Sequence, residues 1–282
     1  MKRPLSPLSL LDPGAVPEED DGEHEVAVTL RLTRDAVTVR APIPTGPSRP
    51  RRFLPLFRAL TDAIVERGQQ ASARRGAPIS CRAGCAMCCR HLVPVSETEA
   101  HSLRDLVEDL PPPRRRLVER RFAAVRARLA ESGLLERILV PGPLGNDELI
   151  ELGLEYFVLA IACPFLEDER CTIYAERPLV CREYLVTSPE EHCQDPTSSE
   201  VARLLIEGDV SQALDRFESD PTSRGVHWVP LPLAPEWANA HPDLAPPEAS
   251  AALLSRALRL VQEHAADPEE PAKKSRKKRG GS

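Results

Sequence analysis

Aromatic residues are scarce in this chain: six Phe, three Tyr and two Trp make up 4% of its 282 residues. Its core must therefore be built from aliphatic side chains. Long apolar runs are missing as well, and no window approaches the ~20 residues of a membrane-crossing helix. The start, MKRPLSPLSLL, is basic. Its apolar stretch is short and broken by Pro4 and Pro7, so no secretory leader is expected. There is no Gly-rich phosphate loop after a strand and no pair of histidines with a glutamate at protease spacing. No internal repeat is visible. A positive surface is also lacking. Formal charge is −6, and the tail Ala272–Ser282 holds six basic residues (Lys273, Lys274, Arg276, Lys277, Lys278, Arg279) and no acidic ones. Subtracting those six leaves −12 for the rest, which argues against a nucleic-acid-binding fold because phosphate contacts need a basic surface. Any contact with nucleic acid or anionic lipid falls to the tail, whose simpler reading is a solvated end.

Cysteine is what the chain has. Four thiols occupy nine residues, Cys81-Arg-Ala-Gly-Cys85-Ala-Met-Cys88-Cys89, and the other four follow as Cys163, Cys171, Cys181 and Cys193. Disulfide frameworks belong to small secreted domains that cannot build a core, and a chain of this length can bury one. A bond between neighbours Cys88 and Cys89 would also be strained. The spacing points instead to thiolates converging on a soft metal, zinc or iron, in a reducing cytoplasm. Gly84 suits a loop that needs positive φ near a metal. Adjacent Cys88 and Cys89 point in different directions from a regular backbone. Either one of them is spare or the two bridge two sites. A two-centre arrangement and a single four-thiolate site with extra ligands both remain open. Cys81-x3-Cys85-x2-Cys88 also has the spacing of a radical-SAM triplet, but the run of alternating strands and helices that surrounds such a triplet is missing.

The second group reads Cys163-Pro-Phe-Leu, then Cys171-Thr-Ile-Tyr174, then Arg177-Pro178-Leu-Val-Cys181-Arg182. Together with the four-cysteine cluster these pieces resemble the YkgJ-type cysteine-cluster family, named for its CxxCxxCC signature and described as zinc- or iron-chelating. The likeness covers about residues 79–196, and the first interval departs from it, with three residues between Cys81 and Cys85 rather than two. It implies metal ligands at Cys81, Cys85, Cys88, Cys89, Cys163, Cys171 and Cys181, with Cys193 as a further candidate, and a zinc ion, iron or an iron–sulfur cluster as cofactor. A flagellin lysine N-methylase is related to that family, which keeps redox or methyl-transfer chemistry among the implied activities. The alternatives are a structural zinc module that organises an interaction surface, and a storage or delivery protein. The partner, protein or small molecule, is left unnamed by the sequence.

Around the cysteines, His91 and His192 are candidate ligands, and Arg177 and Arg182 are candidate donors that balance thiolate charge. The plainer role for the two arginines is an ion pair with Glu176 or Glu183. His101 reads as an exposed bystander on a helix, and Tyr174 as a core residue.

The expected fold is mainly α with a small β component: helices around a cysteine-rich metal-binding core, preceded by an N-terminal β-hairpin. The layout expected is a disordered leader (1–23), a hairpin and helix (24–78), the cysteine-cluster domain (79–196), a C-terminal helical extension (197–266) and a disordered basic tail (267–282). Val26, Val28 and Leu30 alternate towards the turn Thr33-Arg34-Asp35, and Val37 and Val39 follow it, which is the hairpin pattern. Phe53, Phe57, Leu60 and Ile64 mark a helix from about Arg52, with Pro55 in its first turn. Ser96 and Glu99 have capping-box spacing before Leu103, Leu106, Val107 and Leu110, and Pro111–Pro113 stop that helix. The arginine-rich helix from Arg114 is expected to pair with Glu119, Glu131 and the acidic body. Gly142–Gly145 reads as a break, and Leu149–Tyr156 as helix or strand. Phe157–Ala162 reads as a buried strand and Val201–Leu205 as a short helix. A further short helix is expected around Leu214 and Phe217, an extended wrap over Val229–Pro247, and a last helix through Leu253, Leu254, Leu258 and Val261.

Overall fold

The computed structural model describes residues 22–33, 36–139, 146–218 and 228–265. Leader residues 1–21, the hairpin turn at Arg34-Asp35, the Gly142–Gly145 break and the basic tail lie outside them, and Glu23, read as leader, begins the first strand. The fold is mainly helical with a small β component, as the sequence predicts.

Strand β1 (Glu23–Arg31) pairs antiparallel with β2 (Ala36–Pro44), with Val28 opposite Val39 and Leu30 opposite Val37. The register puts every second residue on one buried face, which a period-2 pattern dictates. That face lies on α1 (Leu54–Arg74), whose Phe53-side end and residues Leu56, Phe57, Leu60 and Ile64 are buried with it. Helix α2 (Glu97–Glu108) starts with the predicted box. The Ser96 hydroxyl accepts from the Glu99 N–H at 3.1 Å, and Glu99 Oε2 accepts from the Ser96 N–H at 3.1 Å. Glu99 does more than cap: its Oε1 accepts from the Leu179 N–H at 2.7 Å. A single buried carboxylate thus ties α2 to the segment that carries Cys181. Just before α2, the two-residue strand β3 (Pro94–Val95) leaves the first cysteine cluster.

Several arginines of helix α3 (Pro112–Glu131) are engaged, with Glu119 as expected and with Glu167 and Glu236 rather than Glu131. Arg115 meets Glu119 at 2.7 Å, Arg114 meets Glu167 at 2.5 Å and Arg126 meets Glu236 at 2.9 Å. A short α4 (Leu135–Leu139) follows, then α5 (Asn146–Val158). Here the sequence reading needs correction. Leu152 and Tyr156, four residues apart, are both buried, so helical spacing extends α5 through Val158. Phe157–Ala162 is the end of that helix and a turn with Ala160 at φ +49°, not a strand.

β4 (Leu166–Glu167) and β5 (Arg170–Cys171) form a tiny hairpin whose two turn residues, Asp168 and Glu169, both have positive φ. That is the turn geometry that matches strand twist. α6 (Leu179–Glu183) follows Pro178. Glu183 then accepts from the Val210 N–H at 2.8 Å and the Ser211 N–H at 3.1 Å, capping α7 (Val210–Glu218) from outside that helix. The expected helix at Val201–Leu205 is absent. The segment is extended instead: Leu204 N–H donates to Leu185 at 2.7 Å and Thr187 N–H to Ala202 at 2.8 Å. The neighbouring 185–187 backbone offered its N–H and C=O groups partners.

The Val229–Pro247 wrap is corrected too. β6 (Val229–Pro230) pairs with β3, and α8 (Ala234–Ala240) follows, with Val229, Leu231, Leu233 and Ala234 buried. Pro232 and Pro235 sit in first turns, where the missing N–H costs least, while Pro242, Pro246 and Pro247 lie in the irregular stretch 242–247. α9 (Ser250–Glu263) and α7 close the core begun by β1, β2 and α1. That core contains no cysteine. Among the described residues no helix is long and apolar enough to cross a membrane.

Two stability predictions arise here. A Cβ on Gly68 of α1 would stand 2.9 Å from Ile206 Cγ2 and 3.0 Å from the Leu205 carbonyl oxygen. Gly68→Ala should therefore destabilise by ~1–3 kcal/mol, despite alanine's better helix propensity; thermal melts check it, and a gain in stability would contradict the packing. Glu218 accepts from the Thr98 N–H with Oε2, while its buried Oε1 has no hydrogen-bond partner. Burial, with Glu99 and Glu97 nearby, raises its pKa from 4.5 to about 8. The folded state favours the protonated form, so this stabilisation is full below the unfolded value of 4.5 and is lost as pH rises towards 8. Glu218→Gln should raise the melting temperature more at pH 8.5 than at pH 5.5, by about 2–6 °C for ~1–2 kcal/mol.

Candidate metal centre

The first cysteine loop is clamped at both ends. At its start, Ser80 N–H donates to the Val186 carbonyl at 3.0 Å and Val186 N–H donates to Cys81 Sγ at 3.4 Å. Gly84, at φ +93°, lets the chain turn so that Cys85 N–H reaches the Arg82 carbonyl at 3.0 Å. Met87–Arg90 is a single 3-10 turn that, against the sequence reading, leaves the Cys88 and Cys89 thiols within hydrogen-bonding reach of each other. At its end, Cys89 accepts from the Cys163 N–H at 2.8 Å.

Two arginines add ion pairs that sequence reasoning missed. Arg82 pairs with Glu190, in the turn (Glu190–Gln194) that carries Cys193. Arg90 makes a two-point pair with Glu169, in the turn beside Cys171, at 2.8 and 3.1 Å. The available signal was a charge next to each end cysteine of the cluster.

These clamps, with the β4–β5 hairpin and α6, gather all eight predicted cysteines into one neighbourhood. Cys88 lies within electrostatic reach of Cys81, Cys163, Cys171, Cys181 and Cys193. Its thiol accepts a hydrogen bond from Cys89, which together with the Arg177 guanidinium lowers its pKa to about 7 against the opposing effect of burial. The same contact raises Cys89, which donates. Burial pushes Cys163 up to about 12, Cys181 well above the ordinary thiol range, and Cys81, Cys171 and Cys193 upward. Desolvation and mutual repulsion thus favour protonated thiols, and a soft cation is what would balance them as thiolates. The donor set fits zinc or iron by its chemistry. Among the described residues, no three His, Cys, Asp or Glu side chains stand close enough together to hold an ion, so closing a ligand shell requires side-chain rotation.

The other candidates fall elsewhere. His91 packs at a tilt against Phe157, centroids 4.7 Å apart, and lies 6.2 Å from the Tyr184 ring, with burial lowering its pKa. His192 contacts the backbone carbonyl and carboxylate of Glu200. Arg182 turns from the sulfurs: Nη1 donates to both Asp62 oxygens at 2.8 Å, Nε to the Arg177 carbonyl at 2.9 Å, and Nη2 to the Ala175 carbonyl. Its partner is therefore Asp62, not Glu176 or Glu183. Arg177 lies over the Tyr174 ring at 4.1 Å, and its charge reaches Cys88 and Cys171. Tyr174 is 64% exposed rather than a core residue, because the guanidinium covers only one face of its ring. His101 is 5% exposed, packed edge-on against Trp237 at 5.7 Å, and so is no exposed bystander. α8, which the sequence did not reveal, supplies that cover.

Residues 80–200 match the CxxCxxCC family model. Its description is "Putative zinc- or iron-chelating domain". The match begins one residue before Cys81 and ends past Cys193, so all eight thiols fall inside the CxxCxxCC segment. No curated protein and no solved structure matches the chain.

Proposed function

We propose that this chain is a metal-binding protein in which thiolates of the CxxCxxCC segment hold zinc or iron, joining the first cysteine loop to the second cysteine group. The observation that carries this reading is the gathering of eight thiols from four stretches of chain into one partly buried neighbourhood whose cationic neighbours are few. Bound metal would supply the positive charge that keeps these sulfurs deprotonated. The chain's own part is to position and shield them: Arg82–Glu190 and Arg90–Glu169 hold the loop, and Arg177 offsets charge beside Cys88 and Cys171.

A cleft of about 450 Å³ runs along α1 between Leu32, Arg67, Arg74 and Leu205, and no cysteine lines it.

The test is metal and acid-labile sulfide analysis of anaerobically purified chain, with its visible spectrum. Zinc or iron at one or more per chain, reduced in Cys181→Ser, is the expected result. A chain that takes up neither metal while its eight thiols titrate freely would sink the reading. Iron with sulfide and a brown chromophore would instead move the balance towards redox chemistry.

A further inference from the structure

Resting on the metal-binding reading above, we propose that the eight thiols form two separate four-thiolate sites: Cys81, Cys85, Cys88 and Cys193 make one, and Cys89, Cys163, Cys171 and Cys181 make the other.

The division follows from how the first loop is held. Its leading half is clamped to the segment after α6. Val186 donates to Cys81 Sγ, Arg82 pairs with Glu190, and the 3-10 turn Glu190–Gln194 brings Cys193 alongside. Its trailing half is clamped to the other side. Cys163 N–H donates to the Cys89 carbonyl, and Arg90 pairs with Glu169 in the turn just before Cys171. The flanking cores divide the same way. Cys81 packs with Val65, Leu185 and Leu204, whereas Cys163 and Cys171 pack with Phe165, Ile173 and Val118. Electrostatic neighbours place Cys193 near Cys81 and Cys85, and Cys181 near Cys163 and Cys171, with Cys88 near members of both sets.

Cys88 and Cys89 sit where the halves meet. Their thiols share a hydrogen bond, so the division has the Cys88 side chain turn towards Cys81, Cys85 and Cys193 while Cys89 stays beside Cys163 and Cys171. Four thiolates per site is the closed, tetrahedral arrangement of structural zinc. The adjacent pair, which looks redundant for a single site, then has a use on each side.

The experiment is zinc titration of the reduced full chain, read by native mass spectrometry and by alkylation of unprotected thiols. Two zinc ions per chain with all eight thiols protected is the expected result. One zinc with about four reactive thiols would overturn the two-site assignment while leaving metal binding intact. No zinc at all would remove both. Cys193→Ser and Cys171→Ser should each keep one zinc, with the opposite set of four thiols still protected. Loss of both ions from either variant with native circular dichroism would indicate one joint cluster and overturn the proposal. If a variant does not fold, alkylation mapping of the half-loaded natural chain decides the point. Protection of one whole set in each molecule supports it, and protection mixed across the sets overturns it.

Discussion

Chelating the metal should lower the melting temperature of this chain by about 10–20 °C and make its unfolding less cooperative. The magnitude follows from linkage, since site formation and folding are one process. Zinc-finger peptides gain ~10–16 kcal/mol apparent from a structural ion. Even a third of that, ~5 kcal/mol, moves a domain of this size by 10–20 °C at ~2–4 °C per kcal/mol. The loss should be uneven. The core formed by β1, β2, α1, α7 and α9 contains no cysteine, whereas the smaller cores beside the thiols include Cys81, Cys163 and Cys171. Helix signal from α1 and α9 should therefore outlast the central segment, giving two transitions where the loaded chain gives one.

The effect must also depend on pH in one direction. Metal displaces protons from thiols that burial has raised, Cys163 to about 12, so affinity falls as pH falls. The metal-dependent gain in melting temperature should be large at pH 8 and shrink towards pH 6. Melts with and without chelator at both values, paired with metal analysis, measure it. Equal melting with full removal of metal would show that the ion does not support the fold.

What could be read from the sequence was whatever the chain specifies locally. The β1–β2 hairpin, the Ser96–Glu99 cap and the apolar face of α1 each rest on residues a few positions apart, and each stands as read. The misreadings share a cause, which is partners distant in sequence. Leu204 became extended because the 185–187 backbone needed a neighbour. Pro230 and Pro232 suggested a surface wrap, but β3 was there to pair with Val229 and Pro230. His101 looked exposed until α8 brought Trp237 over it. At the site, cysteine identity and spacing named every thiol. The Arg82–Glu190 and Arg90–Glu169 pairs that sort the thiols join residues 108 and 79 positions apart, and no local pattern announces them.

The two arginines within the second group, Arg177 and Arg182, give the other large effect, because they separate structural from metal-directed roles. Arg182→Ala should cost ~2–4 kcal/mol and about 5–15 °C in melting temperature, with metal content unchanged. The guanidinium side chain is 7% exposed, and each of its three nitrogens donates, to Asp62 or to the carbonyls of Ala175 and Arg177. Removing it strands two carbonyl oxygens in a partly buried turn. The Asp62 carboxylate is 56% exposed and can return to water, so the ion pair itself contributes little of that cost. Arg177→Ala should do the reverse. It loses a stack on an exposed tyrosine, worth ~0.5–1 kcal/mol, and it removes the charge that helps hold the Cys88 pKa near 7. The Cys88 thiol of the metal-free Arg177→Ala chain should alkylate more slowly at pH 7, by about 2–5-fold, as its pKa rises. Melting curves, metal analysis and alkylation rates on the two variants make the comparison. Loss of metal from a folded Arg182→Ala chain would return Arg182 to the sulfurs and overturn the assignment made from its hydrogen bonds.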